Sequence, residues 1–285
     1  MMKPLITVSI PTRNSGRTLR ICLKALKAQT YKNFEVNIVD KESIDDTVTI
    51  ARKYRVKKIL TVKSSLLQAR YEGAKVANGN YVLILDSDQI LAKDALEKAV
   101  KLIKSKKFEM LVFEEFVYRN KTFLERLFAC DRMLINSVND LSPFTGVIMP
   151  RFFKKSLLLR AYGNIPSKVF PNTGGPDHAI VYYESWKLSK KIGIVSKAVS
   201  HMEPSTLREL LPKFFRWGYT SVDVRFGKYA TLMDKKERLR TGLFSKGLII
   251  ESLGSITLLI FKYIAFKCGL YMGKIDRKLG IARRY

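Results

Sequence analysis

At 285 residues the chain is long enough for one large α/β domain with an appendage, or for two small domains. Its 52 Lys and Arg against 25 Asp and Glu, net +27, turn it toward phosphate-rich partners: nucleotides, nucleic acid or an anionic membrane surface. Three widely spaced cysteines, Cys22, Cys130 and Cys268, exclude a disulfide framework and a zinc-ligand pattern, which points to an intracellular compartment. Met1-Met2-Lys3-Pro4 leads straight into a strand-like run, so no secretory signal peptide is expected.

Leu5 to Ile10 is a β-rich run closed by Pro11-Thr12, and Ser15 is placed to cap a helix over 16–29 with Leu19, Leu23 and Leu26 on one face. A second strand, Phe34 to Val39, ends at Asp40. Asp45-Asp46 then opens a helix from Thr47 to Tyr54. Lys57 to Val62 reads as strand, and Leu66 to Ala77 as a helix stopped by Asn78-Gly79. Tyr81 to Leu85 is an apolar strand that runs into Asp86-Ser87-Asp88. A helix over Ala92 to Lys104 and a strand over Phe108 to Phe116 follow. This β-α alternation predicts a mostly parallel sheet with helices on both faces.

Beyond Tyr118 the pattern loosens. Phe123 to Asn136 reads as helix, Phe144 to Pro150 as extended, Pro166 to Asp177 as a Pro- and Gly-rich loop, Glu184 to Lys190 as helix and Ile192 to Val199 as strand. The α/β domain is expected to end near residue 225, with 226–285 a basic helical extension. In it, Gly247 to Phe266 is nearly all apolar, close to the length of a membrane span, and basic on both sides: Lys235, Lys236, Arg238, Arg240 and Lys246 before, Lys274, Arg277, Lys278, Arg283 and Arg284 after. Charge on both flanks sets no orientation, and Glu251 and Lys262 are costly at mid-bilayer. Helices lying on an anionic leaflet are therefore expected over a true span; the alternative is a helix packed on the α/β domain or in a dimer.

Asp86 and Asp88 carry the first chemical signal. In extended backbone, residues i and i+2 point the same way, so both carboxylates would face one side of a strand's carboxyl end, where open α/β sheets bind ligands. So close a pair calls for a cation, and oxygen ligands suit Mg²⁺ or Mn²⁺, usually together with a phosphate-bearing substrate. A solvated turn is the plain alternative. Pro11, Asp40 and Asp86 each close a strand, so they should line one edge. Asp40 would accept from base N–H groups there, or merely hold a turn.

Five segments, VSIPTRNSGRTL, VNIVDKESIDDT, QARYEGAKVANGNYVLILDSD, PDHAIVYYESWKLSKKIG and VSHMEPS, occur in order from about Leu5 to Gly218. Together they resemble family 2 glycosyltransferases of the GT-A fold. The resemblance implies that Pro11, Thr12 and Asn14 form the first nucleotide-binding loop, that Asp40 reads the base, and that Arg70 lies near the donor diphosphate, with Tyr71 where the family usually has asparagine. It implies that Asp86 meets the sugar or ribose, that Asp88 meets the metal with Asp86 and His201 as further candidate ligands, and that Asp177 is the general base, here preceded by Pro176 rather than a second acid. Lys213 and Arg216 would cap the diphosphate. Read from residues alone, His201 is equally a satisfied buried histidine, Asp177 a helix cap before His178, and Lys213 with Arg216 a solvated helix face.

The expected activity is inverting transfer from a UDP- or GDP-linked sugar to an acceptor hydroxyl, on a glycan or lipid-linked acceptor, with Mg²⁺ or Mn²⁺, at the cytoplasmic side of the cell membrane. A polyprenyl-phosphate sugar synthase is the rival within the class. A nucleic-acid-binding protein is the rival outside it, but no recognisable motif supports one and the basic residues are dispersed, so no nucleic acid is expected.

Overall fold

The structure is a computed structural model that describes residues 3–63, 65–145, 148–171, 173–225, 227–236 and 248–281. In chain order its elements are β1 (Ile6–Thr12), α1 (Gly16–Lys27), β2 (Phe34–Asp40), α2 (Thr47–Lys53), β3 (Lys58–Thr61), α3 (Leu66–Lys75), β4 (Tyr81–Ile84), β5 (Gln89–Leu91), α4 (Ala95–Lys106), β6 (Met110–Val117) and α5 (Phe123–Asn136). Then come β7 (Phe152–Lys154), α6 (Lys155–Gly163), α7 (Asp177–Leu188), β8 (Ile192–His201), α8 (Leu207–Tyr219), α9 (Val222–Arg225), α10 (Ala230–Lys236) and α11 (Ile249–Lys278).

The apolar run in β4 is continuous because both of its faces are covered. Leu83 and Leu85 pack with Leu19, Leu23 and Leu26 of α1 and with Leu96 of α4. Val82 and Ile84 face the other way, into a second cluster with Leu67 of α3, Leu158 of α6 and Ile180 of α7. A strand buried on both sides shows no polar alternation.

The strands run in the order β3-β2-β1-β4-β7-β6-β8-β5. Pairing is parallel across β3, β2, β1 and β4 and again between β6 and β8, but β7 is antiparallel to both β4 and β6, and β5 is antiparallel to β8. The sheet is therefore mixed. The short strands β5 and β7 carry too few residues to show a period. The segment expected to be extended from Phe144 holds a 3-10 turn at Pro143–Thr145 instead, and the strand comes later, at β7. Parallel register puts Thr12 opposite Asp40, and β4 ends beside β1, so the carboxyl ends of β1, β2 and β4 share one edge.

A third apolar cluster lies apart from the sheet: Leu124, Leu127 and Phe128 of α5, Leu210 and Phe214 of α8, and Leu258 and Ala265 of α11. Here α8 and α11 approach with backbones nearly touching. A Cβ on Gly269 would sit 1.9 Å from the Phe215 carbonyl oxygen, and one on Gly218 1.9 Å from that of Phe266. Gly273, one turn beyond Gly269, meets the Tyr219 carbonyl in the same way. This is the small-residue spacing that lets two apolar helices pack closely. Polar groups of α11 are matched within the seam: Ser255 Oγ donates to Asp131 Oδ1 at 2.7 Å, and Lys262 Nζ to Asp131 Oδ2 at 3.1 Å. Gly247 and the basic positions Arg238, Arg240, Lys246, Arg283 and Arg284 lie outside the described residues, as do the side chains of Lys235 and Lys236.

Candidate functional site

β4 stops at Ile84, and the chain turns. Gln89 N donates to the Asp86 carbonyl at 3.0 Å, and Asp86 N donates to Gln89 Oε1 at 2.9 Å. The two acids therefore do not share a face as extended backbone would require. The turn sends Asp86 toward Arg70 and Arg151 and Asp88 toward His201 and Lys213.

From this turn a chain of alternating charges crosses the site. Asp177, at the start of α7, pairs with Arg70 Nη1, and Arg70 Nη2 reaches Asp86 Oδ1 at 2.5 Å. Asp86 Oδ2 is 2.9 Å from Arg151 Nη1, whose Nε is 2.8 Å from Glu115 Oε1. Glu115 Oε2 is 2.9 Å from Arg132, and Arg132 Nη2 is 2.6 Å from Glu203 Oε1. Glu203 lies 3.1 Å from His201 Nδ1, His201 Nε2 is 3.5 Å from Asp88 Oδ1, and Lys213 Nζ is 3.7 Å from Asp88 Oδ2. Arg70, Asp177 and His201 are buried.

Neighbouring charge sets the titration of these groups. Burial alone would raise Asp86 and Glu115. Arg70 and Arg151 outweigh it at Asp86 and hold that carboxyl well below the usual range, while Arg151 and Arg132 push Glu115 down to about 2. His178 accepts from Arg151 Nη1 at 2.8 Å through Nε2. Burial, reinforced by Arg70 and Arg151, lowers it to about 4 and keeps the imidazole neutral. His201 goes the other way: burial would lower it, but Glu203 and Asp88 raise it.

That last arrangement is a place for a cation. Glu203 lies beside Nδ1 and Asp88 beside Nε2, so the imidazole stands between two carboxylates with Nε2 on the side of Asp88. Asp86, expected as a further ligand, has an arginine on each oxygen. Among the described residues no group of three or more His, Cys, Asp and Glu is spaced to hold a metal unaided. Asp88 and His201 thus fit a divalent ion that takes its remaining ligands from a bound phosphate or water.

The residues expected to hold a nucleotide form a second cluster, one strand further along the edge. Asp40 is buried and accepts from Thr12 Oγ1 at 2.8 Å, Ser43 N at 2.8 Å and Ser43 Oγ at 2.6 Å. Asn14, with a left-handed φ of 48°, accepts from Ile44 N at 2.9 Å and so ties the β1–α1 loop to the β2–α2 loop. Arg216 and Lys41 are each lowered, by burial first and then by Arg13, so three cations crowd this end. Pro11, Arg70, Asp86, Asp88, Asp177, His201, Lys213 and Arg216 all line one cleft of about 930 Å³; Thr12, Asn14 and Asp40 are not among its lining, Thr12 and Asp40 being buried and Asn14 exposed.

Residues 7–175 match the profile of "Glycosyl transferase family 2". The chain belongs to glycosyl transferase family 2. Among curated relatives, glycosyltransferase GlyG of Streptococcus pneumoniae is 29% identical over 123 residues, 41% of each chain, so the match spans less than half of that relative. Among solved structures, Staphylococcus aureus TarS 1–349 in complex with UDP-GlcNAc superposes with a TM-score of 0.58 at 16% identity, covering 98% of this chain and 93% of that one. The mannosyltransferase PcManGT of Pyrobaculum calidifontis, in complex with GDP-Man and Mn²⁺, gives 0.56 at 20% identity, covering 96% and 81%. The fold is thus the GT-A fold of family 2.

Four charged residues of the site carry no role in the sequence reading: Glu115, Arg132, Arg151 and Glu203. One signal was available. Glu114-Glu115 interrupts an apolar strand, and an acid there calls for a buried partner.

Proposed function

We propose that the protein is an inverting glycosyltransferase that moves a sugar from a UDP- or GDP-linked donor to an acceptor hydroxyl, using Mg²⁺ or Mn²⁺, at the cytoplasmic face of the membrane. The observation that carries this reading is the charge chain that opens into the cleft with Asp177 at one end and the Asp88–His201 pair at the other. TarS binds UDP-GlcNAc and PcManGT binds GDP-Man with Mn²⁺, which supports a donor and metal of this kind here.

A bound divalent ion would supply charge neutralisation on the donor diphosphate. Asp88 and His201 would hold it, with Glu203 and Arg132 fixing the imidazole behind. Lys213 and Arg216 add fixed positive charge to the same wall, and Thr12, Asn14 and Asp40 shape the base-binding loops. Asp177 gives Oδ2 to Arg70 and leaves Oδ1 for the acceptor. It takes the hydroxyl proton as the new C1–O bond forms on one face of the sugar and the C1–O bond to the diphosphate breaks on the other. The nucleoside diphosphate leaves with the bonding electron pair, and no covalent intermediate is needed.

The membrane assignment rests on α11, which is long and apolar enough to cross a bilayer, yet is held by α5 and α8 along one side. That support fits a helix lying at the interface better than one crossing it.

Calorimetric titration with UDP and GDP, each with Mn²⁺ or Mg²⁺, tests the donor reading. Metal-assisted binding lost in Asp88→Ala is expected, and absence of any such affinity would refute it. Asp177→Asn separates acceptor classes. With a hydroxyl acceptor, turnover falls by about 10²–10⁴ while nucleotide binding is retained. Near-normal turnover points to a phosphate acceptor and the polyprenyl-phosphate synthase reading, which α11 also accommodates.

A further inference from the structure

Three stripes divide the surface of α11. Ser255, Leu258, Ala265 and Gly269 are buried toward α5 and α8. Ile250, Leu253, Ile264, Tyr271 and Ile275 are exposed, Ile250 by 78%. Between these, Ile256, Leu259, Ile260 and Tyr263 follow at spacings that keep them on one flank, and all four line the cleft that holds Asp86, Asp88 and Asp177. Ile260, Tyr263 and, from the outer stripe, Ile264 belong to both surfaces: they wall the cleft and are 54%, 58% and 56% exposed to the outside. The inner wall of the site is therefore continuous with the outer apolar face of the helix.

That outer face runs for roughly 38 Å at 1.5 Å per residue, and an exposed apolar stripe of this kind marks an interaction surface. On a chain of charge +27 it suits an anionic leaflet, with apolar side chains toward the acyl region and cations toward the headgroups. The flank inside the cleft then needs a ligand of its own. A bare saccharide would lose hydration against Ile256 and Leu259 and find no hydrogen-bond partner on them. A hydrocarbon chain gains free energy with each CH₂ it buries there.

We infer that the acceptor is lipid-linked, with its hydrocarbon passing from the leaflet into the cleft along Ile256, Leu259, Ile260 and Tyr263 while its head group reaches Asp177. This rests on the glycosyl-transfer reading and narrows its acceptor class. Trp217 of α8 lines the same cleft and reports on it; the chain's other tryptophan, Trp186, lies on α7.

The test uses the full chain with Trp186→Phe, titrated with dodecyl phosphate brominated along its chain and, as control, with brominated butyl phosphate. Saturable quenching of Trp217 by the long chain alone, weakened more than fivefold in Ile260→Glu and in Tyr263→Glu, is the expected result. Both positions are exposed, so these variants keep the fold. Quenching that is absent, or identical in parent and variants, overturns the inference. So does a concentration-dependent dimer in sedimentation that Ile260→Glu breaks, since a second copy would then cover the flank. Metal-assisted nucleotide binding is measured in parallel. Its retention in both variants ties the lost quenching to the hydrocarbon path, whereas its absence in the parent overturns the glycosyl-transfer reading itself and this inference with it.

Discussion

The sheet edge and the α5–α8–α11 seam are both buried, and they are built on opposite terms. At the edge, from Asp177 through Arg70, Asp86, Arg151, Glu115, Arg132 and Glu203 to His201, each charge is paired with its neighbours in the chain, with Gln89 donating to Glu115 and His178 accepting from Arg151 alongside. At the seam, shape matters most, and its polar groups are met pair by pair: Ser255 and Lys262 with Asp131, and Asp276 with the Tyr219 hydroxyl. Loss of one member of a charge chain strands the next in low dielectric, whereas a seam yields by small displacements. The edge should thus be brittle and pH-sensitive, and the seam tolerant and indifferent to pH.

The contrast is tested hardest by Arg151→Met, which strips the shared cation from Asp86 Oδ2 and Glu115 Oε1 and leaves each acid with one arginine, Arg70 or Arg132. A loss of about 3–5 kcal/mol in denaturant unfolding is expected. A loss no larger than that of a surface substitution would remove the distinction between the two regions. Acidification is the next test. His178 titrates near 4 in the folded chain against 6.5 ordinarily, so the unfolded chain takes up that proton first as pH falls. Stability is therefore lost between pH 6.5 and 4, by up to about 3 kcal/mol. Glu115, ordinarily near 4.5 and held at about 2, extends the loss to lower pH. His201 contributes with the opposite sign: its stabilisation is complete below 6.5 and fades as pH rises through its raised value. A His178→Gln chain should show a flatter slope from pH 6.5 to 4, read from thermal midpoints.

On the other side of the comparison, Gly269→Val forces a side chain onto the Phe215 carbonyl. It should cost about 1–3 kcal/mol with no change in the pH profile, and hydrogen exchange should show the loosening confined to α8 and α11. The smallest effect belongs to neither region. Lys98 and Asp94 form an exposed pair one helical turn apart on α4, and Lys98→Ala should shift stability by less than about 0.5 kcal/mol.

Legibility in the sequence follows the same division. From β1 through α3 each element falls within about two residues of its expected position, because apolar runs, caps and Asn78-Gly79 are local signals. Helix α5 matches its expected limits because Thr122 and Glu125 close a capping box ahead of an amphipathic run. The three-residue strands β5 and β7 escape any periodicity. α6 lacks a side-chain cap, and α7 starts at Asp177 rather than Glu184, under a proline that looked like loop. In the site, Asp88 and His201 are found together as the motif pattern implied. The parting of Asp86 from Asp88 depends on Gln89, a residue with no signal of its own. The links through Arg132 and Arg151 depend on the strand order β4-β7-β6-β8, which no stretch of neighbouring residues encodes.

The near contact of Gly218 with Phe266 has a practical bearing on how this chain is shortened. α8 turns Phe215, Gly218 and Tyr219 toward α11 and sends Lys213, Arg216 and Trp217 to the cleft. Removing everything from Ile249 onward, the usual route to a more tractable protein, would strip the backing from the helix that carries those three side chains. A truncated chain with weak nucleotide affinity would then report a sagging scaffold, and it would say nothing against the chemistry of the intact protein.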